Sequence, residues 1–203
     1  MNRAGLLLVV SGPSGAGKGT ICQALMNKYP SFQVSISVTT RAPRIGEIPN
    51  KSYYFMRTDE VKKMIENDEL LEWAYVYENY YGTPAKAVYD RLRNGEDLIL
   101  EIEMLGALQV KKKFPDAVLI YVLPPSRKIL EERLVGRHTD SMDVIKKRLQ
   151  CVASELKFIK EYDYLLINKD IEHAQEQLEC IIEAERCRPK RLEFAMEWKE
   201  REK

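Results

Sequence analysis

Apolar runs of strand length alternate with helix-length amphipathic segments along the chain. That alternation predicts a parallel sheet with helices on both faces. Residues 6–10, 97–102, 117–123 and 164–167 are rich in leucine, isoleucine and valine without polar alternation, as strands buried on two faces require. They are expected to form the central sheet. Helix signals fall between them. Residues 18–28 read as one helix, and Thr83-Pro84 reads as an N-cap followed by proline at the first helical position, with Gly95 closing the segment. Between residues 34 and 82 the texture changes. There 34–38, 53–55 and 71–77 read as short strands around one helix near 59–67, an inserted and mostly β segment. A further charged helix is expected around Leu192, Met196 and Trp198, with no chemistry assigned to it.

The chain has 203 residues, against about 150 for a usual domain, which suits one domain carrying a smaller insertion. Its 45% apolar share is ample for a core. The net charge of +1 lacks the electrostatic footprint of a protein that coats nucleic acid, so no nucleic-acid partner is expected. The early apolar run at 6–10 is too short for a membrane span or a signal-peptide core, so neither a membrane partner nor a compartment other than the cytoplasm is expected. Cys22, Cys151, Cys180 and Cys187 show no zinc or redox spacing. His138 and His173 are too few for a histidine metal site or a Ser-His-Asp triad. Functional charge is therefore local. Residues 127–148 carry seven lysines or arginines against four acids, and residues 35–57 carry four against one. Each segment nets +3 while the whole chain nets only +1, so the remainder nets about −5, and positive charge concentrated in two segments flanking the core suits a small polyanion.

The most specific signal follows the first strand: Gly12, Pro13, Ser14, Gly15, Ala16, Gly17, Lys18, Gly19 and Thr20, then a helix. Glycines let successive backbone N–H groups converge on phosphate oxygens, the helix adds its positive end, and Lys18 reaches the outer phosphates. Gly19 stands where a serine or threonine is usual, with Thr20 one place later. A magnesium ion is thus expected to be held mainly by nucleotide phosphates and water, with no dedicated protein ligand set and Thr20 as the candidate hydroxyl.

A phosphate loop names a nucleotide, not a reaction. In the inserted segment, Ser37-Val-Thr-Thr-Arg41-Ala-Pro-Arg44 sets two arginines three apart, with Tyr53-Tyr54 shortly after. Arginine forks match phosphate bidentately, and tyrosine hydroxyls complete the shell. Leu71-Glu72-Trp73-Ala74 then puts an acid inside an apolar, aromatic strand ahead of Asn79-Tyr80-Tyr81-Gly82-Thr83. Guanine suits such an acid, because its ring N–H and exocyclic amine both donate along one side. Adenine has no ring N–H. A hydroxyl from Ser37 or Thr83 could donate to the guanine carbonyl.

In order and spacing, GPSGAGKGT, SVTTRAPR, GE, YYF, LEWA, NYYGT, EIE, GRHT and NKD resemble the guanylate kinase family from about residue 6 to residue 186. The resemblance implies an α/β, three-layer fold of the P-loop NTP hydrolase type, with a parallel-sheet nucleotide-binding core (1–34, 84–126 and 149–203), a mostly β GMP-binding region (35–83) and a helical lid (127–148). It implies transfer of the ATP γ-phosphate to GMP with Mg²⁺, serving purine nucleotide metabolism and GMP recycling, in a monomer or homo-oligomer. Carried over by position, Arg41, Arg44, Tyr53 and Tyr81 hold the GMP phosphate, and Ser37, Glu72, Thr83 and Glu103 read the guanine. Arg133, Arg137 and Arg148 meet the transferring group together with Lys18 and Arg41, and Asn168 contacts the adenine of ATP.

Three departures from the family pattern stand out. Glu101-Ile-Glu103-Met-Leu105-Gly106 has acids one methylene longer and a leucine for the usual glutamine, His138 replaces a glycine, and Lys169 replaces an acid. Two rival classes are weaker. A catalytically silent, peptide-binding relative would lack parts of the phosphate loop, all present here. A GTP-hydrolysing switch would need Asn-Lys-x-Asp, and Asn168-Lys169-Asp170 is followed by Ile171.

Overall fold

The computed structural model describes residues 5–44, 46–76, 78–136 and 142–191. Arg137, His138 and the expected helix around Leu192 lie outside the described residues.

The first strand, β1 (Leu7–Ser11), is buried at all five positions. It lies at the middle of a five-stranded, wholly parallel sheet in the order β2 (Phe32–Val34), β7 (Asp97–Glu101), β1, β8 (Val118–Leu123), β9 (Tyr164–Ile167). Alternate residues of the same strands feed two separate cores. Leu8, Val10, Ile99, Ile120 and Val122 face Ile21 and Leu25 of α1 (Lys18–Lys28) and Leu178 and Ile182 of α7 (Ile171–Arg186). Leu7, Val9, Leu98, Leu100 and Leu119 face Val88 and Leu92 of α3 (Ala85–Arg93) and Val110 of α4 (Met104–Lys113). Two covered faces explain why these strands read as unbroken apolar runs. The four expected core strands are all present.

The second sheet is smaller and mixed: β4 (Tyr54–Phe55), β3 (Val38–Thr39), β6 (Asn79–Pro84) and β5 (Leu70–Val76), in that order. The helix α2 (Thr58–Glu66) packs Val61 under it, with Val38 and Leu70. Two sequence readings need correction. Residues 34–38 are not one strand. Phe32, 2% exposed in the first core, draws Phe32–Val34 onto the edge of the large sheet, where the Ser35 N–H continues the ladder to the Ile99 carbonyl at 3.1 Å. The chain changes sheets before Val38. Nor is Thr83 an N-cap: Pro84 occupies that position, and the Thr83 hydroxyl is taken up by Glu72. The far end of α3 closes as expected, with Gly95 at φ +80° and the Gly95 and Glu96 N–H groups returning to the Leu92 and Arg91 carbonyls at 3.0 and 3.1 Å.

After β8 come α5 (Arg127–Val135), started by the Ser126 hydroxyl accepting the Ile129 N–H, and α6 (Met142–Glu155). This pair has a core of its own in Leu130, Leu134, Ile145 and Leu149. At the tail of α6, the Tyr121 hydroxyl of β8 donates to Glu155 at 2.7 Å. Among the described residues no helix is long and apolar enough to cross a membrane.

Candidate active site

The phosphate loop leaves the C-terminal end of β1 and runs into the N-terminus of α1. Gly12 adopts φ +138°, and a Cβ there would stand 2.2 Å from the Val122 carbonyl oxygen, so backbone packing admits only glycine. Lys18 folds back over the loop, its Nζ donating to the Gly12 and Pro13 carbonyls at 2.6 and 3.3 Å. Arg148 of α6 donates to the Ser14 hydroxyl at 2.8 Å, which brings the second helix of the α5–α6 pair to the loop. Arg133 of α5 donates to the Asn168 carbonyl at 3.2 Å.

Asn168, at the end of β9, is 1% exposed. Its side-chain amide donates to the Ala16 carbonyl at 2.7 Å, and a Cβ on Gly17 would collide with the same nitrogen at 2.3 Å. This side chain thus braces the phosphate loop from beneath. Gly19 sits beside Glu101 at the end of β7: a Cβ on Gly19 would lie 3.3 Å from that carboxylate. Thr20 is exposed in the first turn of α1.

The next segment along the chain links this loop to the small sheet. Glu103 is the exposed N-cap residue of α4. Gly106, in the first turn of that helix, is buried, and a Cβ on it would meet Glu72 Oε2 at 2.5 Å. Glu72 of β5 is cross-strand partner to Thr83 of β6, and the Thr83 hydroxyl donates to Glu72 Oε1 at 2.7 Å. The carboxyl is 4% exposed. Burial pushes its pKa up to about 6, against the opposing pull of the Thr83 hydroxyl. A carboxylate kept in so dry a place, where it costs stability, marks a functional site.

Arg41, Tyr53 and Tyr81 gather beside the small sheet, with Tyr81 two residues before Thr83 on β6 and so on the same face as it. Tyr53 and Tyr81 pack edge to face at 6.2 Å, and the Arg41 guanidinium lies 5.0 Å from the Tyr53 ring centre. Ser37 is half-buried just before β3, its carbonyl accepting the Tyr54 N–H at 2.9 Å. Arg44 is exposed. Of the expected residues, the phosphate loop, Arg133, Arg148 and Asn168 form one group, and Arg41, Tyr53 and Tyr81 a second. Glu72, Thr83 and the helix bearing Glu103 form a third.

A family model described as guanylate kinase matches residues 4–185. The chain belongs to the guanylate kinase family. It is 52% identical over 190 residues to a guanylate kinase of Carboxydothermus hydrogenoformans, covering 94% of this chain and 93% of that one. A guanylate kinase of Desulfitobacterium hafniense is 51% identical over 193 residues, with 95% and 96% covered. Among solved structures, guanylate kinase from Anaplasma phagocytophilum superposes with a TM-score of 0.75 at 31% identity, over 94% of this chain and 90% of that one. TT1252 from Thermus thermophilus, at 16% identity and a TM-score of 0.52, shares the fold.

Guanylate kinase resemblance named the motif residues but not three that the geometry adds. Glu47 grips Arg41 through both terminal nitrogens at 2.6 Å. Gly106 makes room for Glu72, and Glu155 ties α6 to β8. The string GE and the Gly106 of the acid-rich segment were visible as letters; their partners lie 6 and 34 positions away in sequence, so no local pattern exposes the contacts.

Proposed function

We propose that this chain transfers the γ-phosphate of ATP to GMP, giving ADP and GDP. The observation that carries the reading is the dry carboxylate of Glu72, held by Thr83 on the far side of the β7–α4 junction from a complete phosphate loop. Guanine offers two donors to that acid; adenine would leave the oxygen not held by Thr83 without a donor, at about 1 to 3 kcal/mol or more. Residues 35–83 form the GMP-binding region, with Arg41, Arg44, Tyr53 and Tyr81 on the phosphate and Ser37, Glu72, Thr83 and Glu103 around the base. Residues 127–148 form the lid, and the remainder the ATP-binding core.

Phosphoryl transfer proceeds through a loose transition state, so the protein's tasks are alignment and charge neutralisation. The acceptor is an ionised phosphate oxygen and needs no general base. Lys18 leaves its two loop carbonyls for the outer phosphates of ATP. Arg133 and Arg148, already tethered at Asn168 and Ser14, approach the moving group as the lid closes, together with Arg137, and closure keeps water from the phosphoryl group. One such arginine supplies roughly 10³ to 10⁵ in rate in related chemistry. The donor set near the loop suits Mg²⁺ as a hard ion: the Glu101 carboxylate lies beside Gly19, Thr20 offers a hydroxyl, and no cluster of three acidic, histidine or cysteine ligands occurs among the described residues. When bound, the ion would neutralise charge on the nucleotide's phosphates. Three exposed free thiols, Cys151, Cys180 and Cys187, support a reducing, cytoplasmic setting.

A coupled assay with ATP and GMP tests the proposal: ADP and GDP should appear in equal amounts, with negligible GTP hydrolysis when no acceptor is present. Nucleotide hydrolysis indifferent to GMP would contradict it.

A further inference from the structure

The Arg41 side chain is 12% exposed, against the rings of Tyr53 and Phe55. Its two terminal nitrogens each donate to one oxygen of the Glu47 carboxylate at 2.6 Å, and the Arg44 N–H donates to the same carboxylate at 2.8 Å. Three donors converge on one anion. They belong to the two arginines that the proposed function assigns to the acceptor's phosphate. The terminal edge of a guanidinium fits one oxyanion bidentately. Since one of those nitrogens also donates to the Ala42 carbonyl at 3.0 Å, turning the fork to serve two anions would break a further bond.

We propose that Glu47 is an internal stand-in for the phosphate of GMP: its carboxylate holds the Arg41 fork and the Arg44 N–H until the nucleotide displaces it. The inference rests on the reading that Arg41 and Arg44 hold that phosphate. Its consequence is a phosphate pocket that only a ligand with further contacts fills. Residues 35–57 carry four basic side chains and Glu47 as their one acid, a loop that would otherwise retain any small phosphate. A lone phosphate merely exchanges one charge-assisted pair for another. GMP also brings the guanine contacts at Glu72 and Thr83, and these tip the exchange. The Arg41 pair, aided by the Arg44 N–H, holds the Glu47 carboxyl down at about 2, so it stays an anion at any working pH. Glu47 thus weakens GMP and lone phosphate by a common factor, raising KM for GMP while holding the weaker-binding phosphates without the base below occupancy.

Titration calorimetry on the full chain, with GMP, guanosine and inorganic phosphate as separate probes, tests this. Glu47→Gln should bind phosphate and GMP about tenfold tighter, with guanosine unchanged. Glu47→Asp, which keeps the charge on a shorter arm, should shift the same two ligands in the same direction by less, and serves alone if the glutamine variant fails to fold. Unchanged or weaker phosphate and GMP binding in these variants, with Arg41→Met still weakening GMP, overturns the stand-in and makes Glu47 a fixed anchor. If Arg41→Met leaves GMP affinity untouched, the phosphate assignment beneath the inference falls, and the stand-in with it.

Discussion

In the large sheet, β1 is buried throughout and what it delivers to a nucleotide is backbone: a loop whose Gly12 is enforced by the Val122 carbonyl, with one lysine folded over it. In the small sheet the delivered groups are side chains, Glu72 and Thr83 paired across β5 and β6, and Arg41 stacked on Tyr53. A phosphate is the same on every nucleoside triphosphate, so convergent N–H groups recognise it with no side-chain choice. A base must be told from its rivals, which needs donors and acceptors of one particular sign. The backbone site is therefore expected to govern whether transfer occurs, and the side-chain site to govern to what.

The largest expected effect tests that division. Lys18→Met should lower kcat by at least about 10³ while GMP affinity, measured by calorimetry, stays within about threefold of the parent; joint loss of both would merge the two sites. Glu72→Gln should do the converse, reducing the preference for GMP over AMP in kcat/KM by roughly 5- to 150-fold, the equivalent of about 1 to 3 kcal/mol. Gly106→Ala sharpens the comparison further. A helix gains from alanine in place of glycine by about 0.5 to 1 kcal/mol, so a purely structural role predicts unchanged specificity. Crowding of Glu72 Oε2, at 2.5 Å from the added carbon, predicts instead a rise in KM for GMP of about tenfold, with kcat much less affected.

Acidity gives a finer test. Because Glu72 is raised to about 6 by burial, it must be ionised above that pH to accept from guanine, and GMP preference over AMP should decline as pH falls through about 6. AMP and GMP share the same phosphate ionisation, so the ratio isolates the carboxyl, and Glu72→Gln should remove the slope. Stability moves in the opposite sense. A carboxyl whose folded pKa exceeds its unfolded value of 4.5 weakens the fold as pH rises through that interval. Glu72→Gln should therefore exceed the parent at pH 8 by about 2 kcal/mol, with the gap closing near pH 4, as urea titration at the two pH values would show.

Legibility followed the same division. The core strands and the phosphate loop could be read because their causes are local: unbroken apolar runs in strands such as β8, and glycines at fixed offsets around Lys18. Phe32–Val34 escaped because three residues of FQV carry no period, and only the pocket that receives Phe32 decides the sheet it joins. Thr83 was misread because a threonine before proline is a sound N-cap signal until a buried acid 11 residues away claims its hydroxyl. Asn168 bracing Ala16 across 152 positions, and Gly106 yielding to Glu72, are likewise facts of tertiary contact.

The division between the two sheets is tested most directly by one nucleotide panel, in which ATP is the donor, GMP and AMP are offered in turn, and the parent is run beside Glu72→Gln. GDP formed from GMP, little ADP formed at the expense of AMP, and a collapsed preference in the variant are the results expected. Equal use of the two acceptors by the parent, or a preference that survives the loss of the Glu72 charge, would contradict the account.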